Sequence, residues 1–173
     1  MSEPVTTMES VVSLDYERPL TLAARQYLAA IREGRLIGHR CPSCERIYTP
    51  PKGYCPICTV PHSEADEIEL ATTGTLVAFS ILNPDALHQG EASVVRGTVK
   101  LDDIDVTLTG ELTDVTPDEA HEGIRLRAVF ADLATLEGAM AEWGGAGIRG
   151  WERSGEPDVP AEELERFESG GVI

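Results

Sequence analysis

The chain has 173 residues, 42% of them apolar and 25% charged, so it can bury a core of its own. That balance excludes both a disulfide-stapled mini-protein and wholesale disorder. Thirty Asp and Glu against fourteen Lys and Arg leave a formal charge of −16, and a surface that acidic repels phosphate backbones. No nucleic-acid partner is expected. The opening residues, MSEPVTTMESVVSLDYERPL, lack the basic start and apolar core of a signal peptide. No stretch approaches the roughly 18 apolar residues of a membrane span. The pattern is that of a cytoplasmic protein without a membrane partner.

Residues 1–19 show no sustained hydrophobic period and read as a flexible arm. In the segment 20–35, Leu20, Ala23, Ala24, Tyr27, Leu28 and Ile31 recur at three- and four-residue steps, with Pro19 ahead and Gly34 behind. The spacing predicts an amphipathic helix over about 21–33. Residues 36–62 open with a strand-like lead over 36–40 and then become dense in Pro, Gly and Cys. Such a segment has little to bury, so a metal has to fix it.

The segment 63–143 contains four runs rich in Val, Ile, Leu and Thr: 68–81 broken by Gly74, 93–101, 104–112 and 124–130. These are predicted strands. Asp102 and Asp103 form a hairpin turn between two of them, with Asp105 on an exposed strand position. Thr116-Pro117-Asp118-Glu119 has the hydroxyl, proline and acid of a helix start, which Gly123 ends after one turn. Strands at this spacing suggest a small closed barrel such as an OB-fold, with a sandwich as the rival. Residues 144–173 hold seven glycines, seven acids and three bases, and read as an extended C-terminal tail. Trp143, Trp151 and Phe167 nevertheless lie in it or at its border, which marks it as a partner-docking segment with aromatic anchors.

All four cysteines fall in two C-P-x-C knuckles, Cys41-Pro-Ser-Cys44 and Cys55-Pro-Ile-Cys58. Each knuckle presents two thiolates from one tight turn. Two facing knuckles make the closed tetrahedral Cys₄ site of structural Zn²⁺, with no open position for substrate. Iron in a rubredoxin-like electron carrier is the alternative, because tetrahedral S₄ suits either metal. A thioredoxin-type pair would need a βαβ context that is missing. His39 and His62 lie nearby, but four sulfurs already complete the shell.

The run AAIREGRLIGHRCPSCERIYTPPKGYCPIC, followed by GTLVAFSIL and a final GIRLRAVF, resembles the family catalogued as domain of unknown function thirty-five. The resemblance covers about 20–140. It implies a mainly β chain: an N-terminal helix, a rubredoxin-like zinc ribbon and a C-terminal OB-fold barrel. It further implies an accessory subunit that joins a thiolase-like enzyme in a hetro-oligomer and shares its acyl-CoA, a CoA thioester. By similarity to members that partner aldolases in steroid side-chain degradation, the expected reaction is a retro-aldol cleavage of a hydroxyacyl-CoA, with the catalytic residues on the partner. A subunit bridging a CoA-condensing thiolase and synthase is the related alternative. The residues after the knuckles depart from the family pattern: Glu45 and Thr59 stand where such knuckles often have glycine.

Between Arg25 and Lys52 six basic residues face two acids, a local +4 in a chain whose remainder sums to −20. Arg40, Arg46 and Lys52 are the candidates for holding a CoA phosphate or the partner. Ser63, Ser80 and Ser93 lack a nucleophile-elbow context, and His88, near Asp85, and His121 read as surface histidines, so no catalytic residue is assigned to this chain. A nucleic-acid-binding OB module would need a basic, aromatic-lined groove, which residues 68–132 do not supply.

Overall fold

The computed structural model describes residues 13, 19–83, 93–102, 104, 106–132 and 147–168, with 165–168 as backbone alone. The expected arm, the loop with Asp85 and His88, Asp103, Asp105, Trp143 and the side chain of Phe167 lie outside the described residues, save positions 13 and 19 of the arm.

Helix α1 (Leu22–Arg32) begins at Thr21, whose hydroxyl accepts the Ala24 N–H at 3.2 Å and so pairs one of the first turn's orphan donors. Gly34, at φ 72°, ends it. Ala23, Ala30 and Ile31 are buried and Tyr27 packs on the core, so the helix presents the periodic face read from the sequence. It rests on β1 (Leu36–Arg40), the central strand of a three-stranded antiparallel sheet, β2-β1-β3, with β2 at Ile47–Tyr48 and β3 at Glu67–Leu70.

The run expected as one interrupted strand over 68–81 is two strands in two sheets, β3 and β4 (Thr73–Leu82). The division falls at residues 71 and 72, not at Gly74. A Cβ on Gly74 would meet the Lys100 carbonyl oxygen at 2.3 Å, so this glycine permits close approach of two strands instead of marking a turn.

β4, β5 (Val94–Leu101), β6 (Thr107–Glu111), β7 (Arg125–Phe130) and β8 (Ile148–Arg153) form a five-stranded antiparallel sheet in the order β6-β5-β4-β7-β8. A parallel bridge between Leu112 and Trp151, with the Thr113 N–H donating to the Trp151 carbonyl at 2.8 Å, joins the two outer strands. The sheet thus closes into a small OB-type barrel. Leu76, Val95, Val99, Leu101, Leu112, Ile124, Leu126 and Trp151 fill it. Among the described residues no helix is long and apolar enough to cross a membrane.

The closing strand comes from the segment expected to be a tail, and this corrects the sequence reading. Trp151 is 0% exposed and is a core residue, not a docking anchor. Glycines conceal β8 in the sequence because they serve close packing here. A Cβ on Gly150 would lie 2.7 Å from Thr113 Cγ2, and one on Gly110 2.8 Å from the Trp151 ring. Past β8 the chain continues beside the N-terminal end of β7: the Ser154 N–H donates to the Arg125 carbonyl and the Val159 N–H to the Gly123 carbonyl, each at 2.9 Å. Helix α2 (Ala161–Glu168) follows. The Thr116–Glu119 start is a single turn in which the Glu119 carboxylate accepts from both the Thr116 N–H and its hydroxyl.

Asp102, expected only as a turn residue, anchors the barrel. Its two carboxylate oxygens accept from Arg125 at 2.6 and 2.7 Å, and the Thr73 hydroxyl donates to it as well. Arg125 also reaches Thr75 and Glu156, so one guanidinium ties β4, the β5–β6 turn, β7 and the C-terminal segment together.

Deleting 144–173 removes β8 and should abolish the cooperative thermal transition, while Trp151→Ala alone should cost about 3–5 kcal/mol. Calorimetry checks both; a truncated chain that melts like the full one would contradict the closing role of β8. The hydrogen bonds from Arg125 hold the Asp102 carboxyl below the usual carboxylate range. Its contribution is therefore complete above the unfolded value of about 4 and is lost as pH falls through the lower folded value. Asp102→Asn should cost about 2–3 kcal/mol at pH 7 in denaturant unfolding. That difference should shrink below about pH 4.

Candidate metal centre

The two knuckles fold alike because their backbones bond alike. In the first, the Cys41 N–H donates to the Arg46 carbonyl at 2.8 Å and the Glu45 N–H to the Cys41 carbonyl at 2.9 Å. In the second, the Cys55 N–H donates to Val60 at 2.9 Å and the Thr59 N–H to Cys55 at 2.8 Å. Both turns need a left-handed residue after the second cysteine, and Glu45 (φ 61°) and Thr59 (φ 58°) take that conformation. The departures from glycine leave the knuckle geometry in place at a backbone cost of about 1–2 kcal/mol each.

The turns bring the four sulfurs of Cys41, Cys44, Cys55 and Cys58 within 4.8 Å of one another. Cys44 and Cys55 Sγ are 3.8 Å apart. Tetrahedral Zn²⁺ with Zn–S near 2.3 Å requires sulfur–sulfur edges of about 3.8 Å, so the donor set fits. Cys41 and Cys55 are buried and the other two half-buried. The Ser43 N–H points at Cys41 Sγ and the Cys58 N–H at Cys55 Sγ, each at 3.4 Å. The Tyr48 hydroxyl adds a contact to Cys55 Sγ at 3.4 Å.

These donors set Cys55 apart from Cys44. Burial opposes ionisation of Cys55, yet bonds from the Tyr48 hydroxyl, the Cys58 and Ile57 N–H groups and the Cys41 thiol draw it down to about 6. At Cys44 the Arg46 N–H favours the thiolate, but burial and the three neighbouring sulfurs outweigh it and push it up to about 12. Four thiols so close cannot all ionise unaided, whereas a divalent cation compensates the charge that opposes their deprotonation.

His39 (2% exposed) and the half-buried His62 stand outside this cluster, their rings edge to face at 5.3 Å. Burial first, then His62, lowers His39 below the ordinary imidazole value. Arg40, Arg46 and Lys52 are exposed on the ribbon and make no ion pair with a described residue. Arg35, part of the same cationic count, is committed to Glu33 and Glu69. On the barrel, an open groove of about 430 Å³ crosses the outer face of β4–β6 beside Ser80, Arg96, Thr98 and Thr109. Sequence reasoning missed Tyr48, whose role depends on the fold bringing its hydroxyl to Cys55. It also missed Arg125, whose side-chain partners Thr75, Asp102 and Glu156 come from three separate segments.

Comparison with known proteins agrees with this geometry. Residues 28–67 match the family described as ChsH2, rubredoxin-like zinc ribbon domain, and residues 67–131 match ChsH2, C-terminal OB-fold domain. A DUF35 domain-containing scaffold protein of Methanocaldococcus jannaschii is 30% identical over 97 residues, 55% of this chain and 67% of that protein. Among solved structures, an Ltp2-ChsH2(DUF35) aldolase chain superposes with TM-score 0.52 at 23% identity, covering 66% of this chain and 89% of that one. A DUF35 protein of unknown function from Sulfolobus solfataricus gives 0.50 at 19% identity, covering 63% and 78%. A helix, a four-cysteine zinc ribbon and an OB barrel in this order define the class, and the chain belongs to the DUF35 family.

Glycine relieves left-handed strain, so Glu45→Gly should raise stability by about 1 kcal/mol in denaturant unfolding. Thr59→Gly should gain less, because it also loses the bond from the Thr59 hydroxyl to the Cys58 carbonyl. Destabilisation by Glu45→Gly would contradict the strain argument.

Proposed function

We propose that this chain is the zinc-binding accessory subunit of an acyl-CoA complex whose thiolase-like partner performs a retro-aldol cleavage of a hydroxyacyl-CoA, such as a steroid side-chain thioester. The observation that carries the reading is the match of both its domains to ChsH2, joined to the fold it shares with a DUF35 chain described as part of an Ltp2-ChsH2 aldolase. Cys41, Cys44, Cys55 and Cys58 hold one structural Zn²⁺, which fixes the ribbon without taking part in the chemistry. Arg40, Arg46 and Lys52 extend from that ribbon as the cationic face of an acidic chain, suited to a CoA phosphate or an acidic patch of the partner.

The activity test is direct. The full chain co-purified with its thiolase-like enzyme should convert a branched hydroxyacyl-CoA into a carbonyl product and a shorter acyl-CoA, followed by liquid chromatography and mass spectrometry. Condensation without cleavage would move the reading to the bridging subunit of a thiolase and synthase. Cys41→Ser or Cys55→Ser should lose the metal in elemental analysis and weaken assembly by about tenfold or more. A metal-free variant that assembles fully would contradict the structural role of the ion.

A further inference from the structure

We propose that the open edge of β4 over residues 78–82 receives an extended strand of the partner enzyme, one with alternating apolar side chains and Lys or Arg at its flanks. The proposal rests on the subunit reading above and adds where the partner sits. β5 pairs along β4 as far as Leu82↔Val94, but β7 pairs only with Thr73–Thr75. The last bonds on that side join Leu76 to Gly123 and Ile124. A register shift at Val77 then bends β4 away, and among the described residues nothing pairs with its second edge from 78 to 82. Strand backbones alternate sides, so about half of the N–H and C=O groups there face that edge with no partner among the described residues.

The side chains do not protect it. Ala78, Phe79, Ser80 and Ile81 are all exposed, Phe79 by 36% and Ile81 by 43%, although they lie on opposite faces of the strand. Thr73–Leu82 contains no charged residue and no proline. Soluble proteins ordinarily blunt such an edge with Lys or Pro, and an unblunted one is a template for strand addition.

Charge selects the occupant. Where the edge opens, the turn and the C-terminal segment expose Asp118, Glu122, Asp158, Glu162 and Glu163. They are held there by the bond from the Val159 N–H to Gly123 and by the contact of His121 with Asp158. The nearby Arg125 is occupied by Asp102 and Glu156. A second copy would bring these acids face to face, with −16 on each chain. A foreign strand with basic flanks gains where a second copy loses.

The test uses the full chain and the thiolase-like enzyme that binds it, identified by sequence and purified. Amides of 77–82 should exchange more slowly with deuterium in the complex than in the free chain. Ile81→Lys should weaken binding by about tenfold or more. Leu22→Lys, at a more exposed apolar site on α1, should leave it within about twofold. Retained metal and an unchanged melting transition verify that both variants fold. A complex in which 77–82 exchanges as in the free chain, or in which Ile81→Lys binds normally, overturns the edge proposal and leaves the subunit reading standing. A dimer of this chain dissolved by Ile81→Lys overturns it in favour of a second copy. If the wild-type chain binds no such enzyme, the subunit reading fails and the edge proposal with it.

Discussion

The ribbon has almost nothing to bury, and its form depends on four sulfurs meeting at one point. Between Cys41 and Cys58 only Cys41, Pro51 and Cys55 are buried, while Tyr54 and Ile57 stand out in solvent. Two left-handed backbones at Glu45 and Thr59 add strain to a segment with little packing to offset it. A closed tetrahedral metal site at these four sulfurs would supply the missing cohesion, since its binding free energy is folding free energy for such a module. β1 carries the consequence outward. It ends at Arg40, directly before Cys41; it packs against α1 and pairs with β3, whose chain runs into β4 of the barrel.

The barrel has its own constraint, which is closure. Trp151 fills the interior from the last strand, and Gly110 and Gly150 exist in forms that let it and its backbone pass. Arg125 works at the same seam from the polar side, binding Asp102 and Glu156 across strands that are distant in sequence. Closure also determines what the described residues leave open: the pairing of β4 toward β7 stops at Leu76, and Ala78–Ile81 beyond it are exposed.

The local features were legible from residue order. The helical face of α1, the paired knuckles and the strand-rich run all follow from spacing that any one segment displays by itself. The long-range features were not. β8 is hidden because its neighbours are glycines and acids, the composition of a linker, and its reason to be a strand lies in Leu112 and Thr113 on the other side of the barrel. Trp151 was visible as an aromatic without a core, but the same observation suits a docking anchor and a buried residue. Asp102 and Tyr48 look ordinary in sequence, because their partners Arg125 and Cys55 reach them only through the fold.

The four-cysteine cluster at one end and strand closure at the other define the chain's two structural centres, and the DUF35 family to which it belongs includes a protein described as a scaffold. The most direct measurement is native mass spectrometry of the protein purified by affinity from its own host, since one spectrum reads bound metal and bound chains together. The account predicts one zinc per chain and a thiolase-sized enzyme in the same complex. A chain found alone and carrying iron would contradict it and return the protein to the electron carriers.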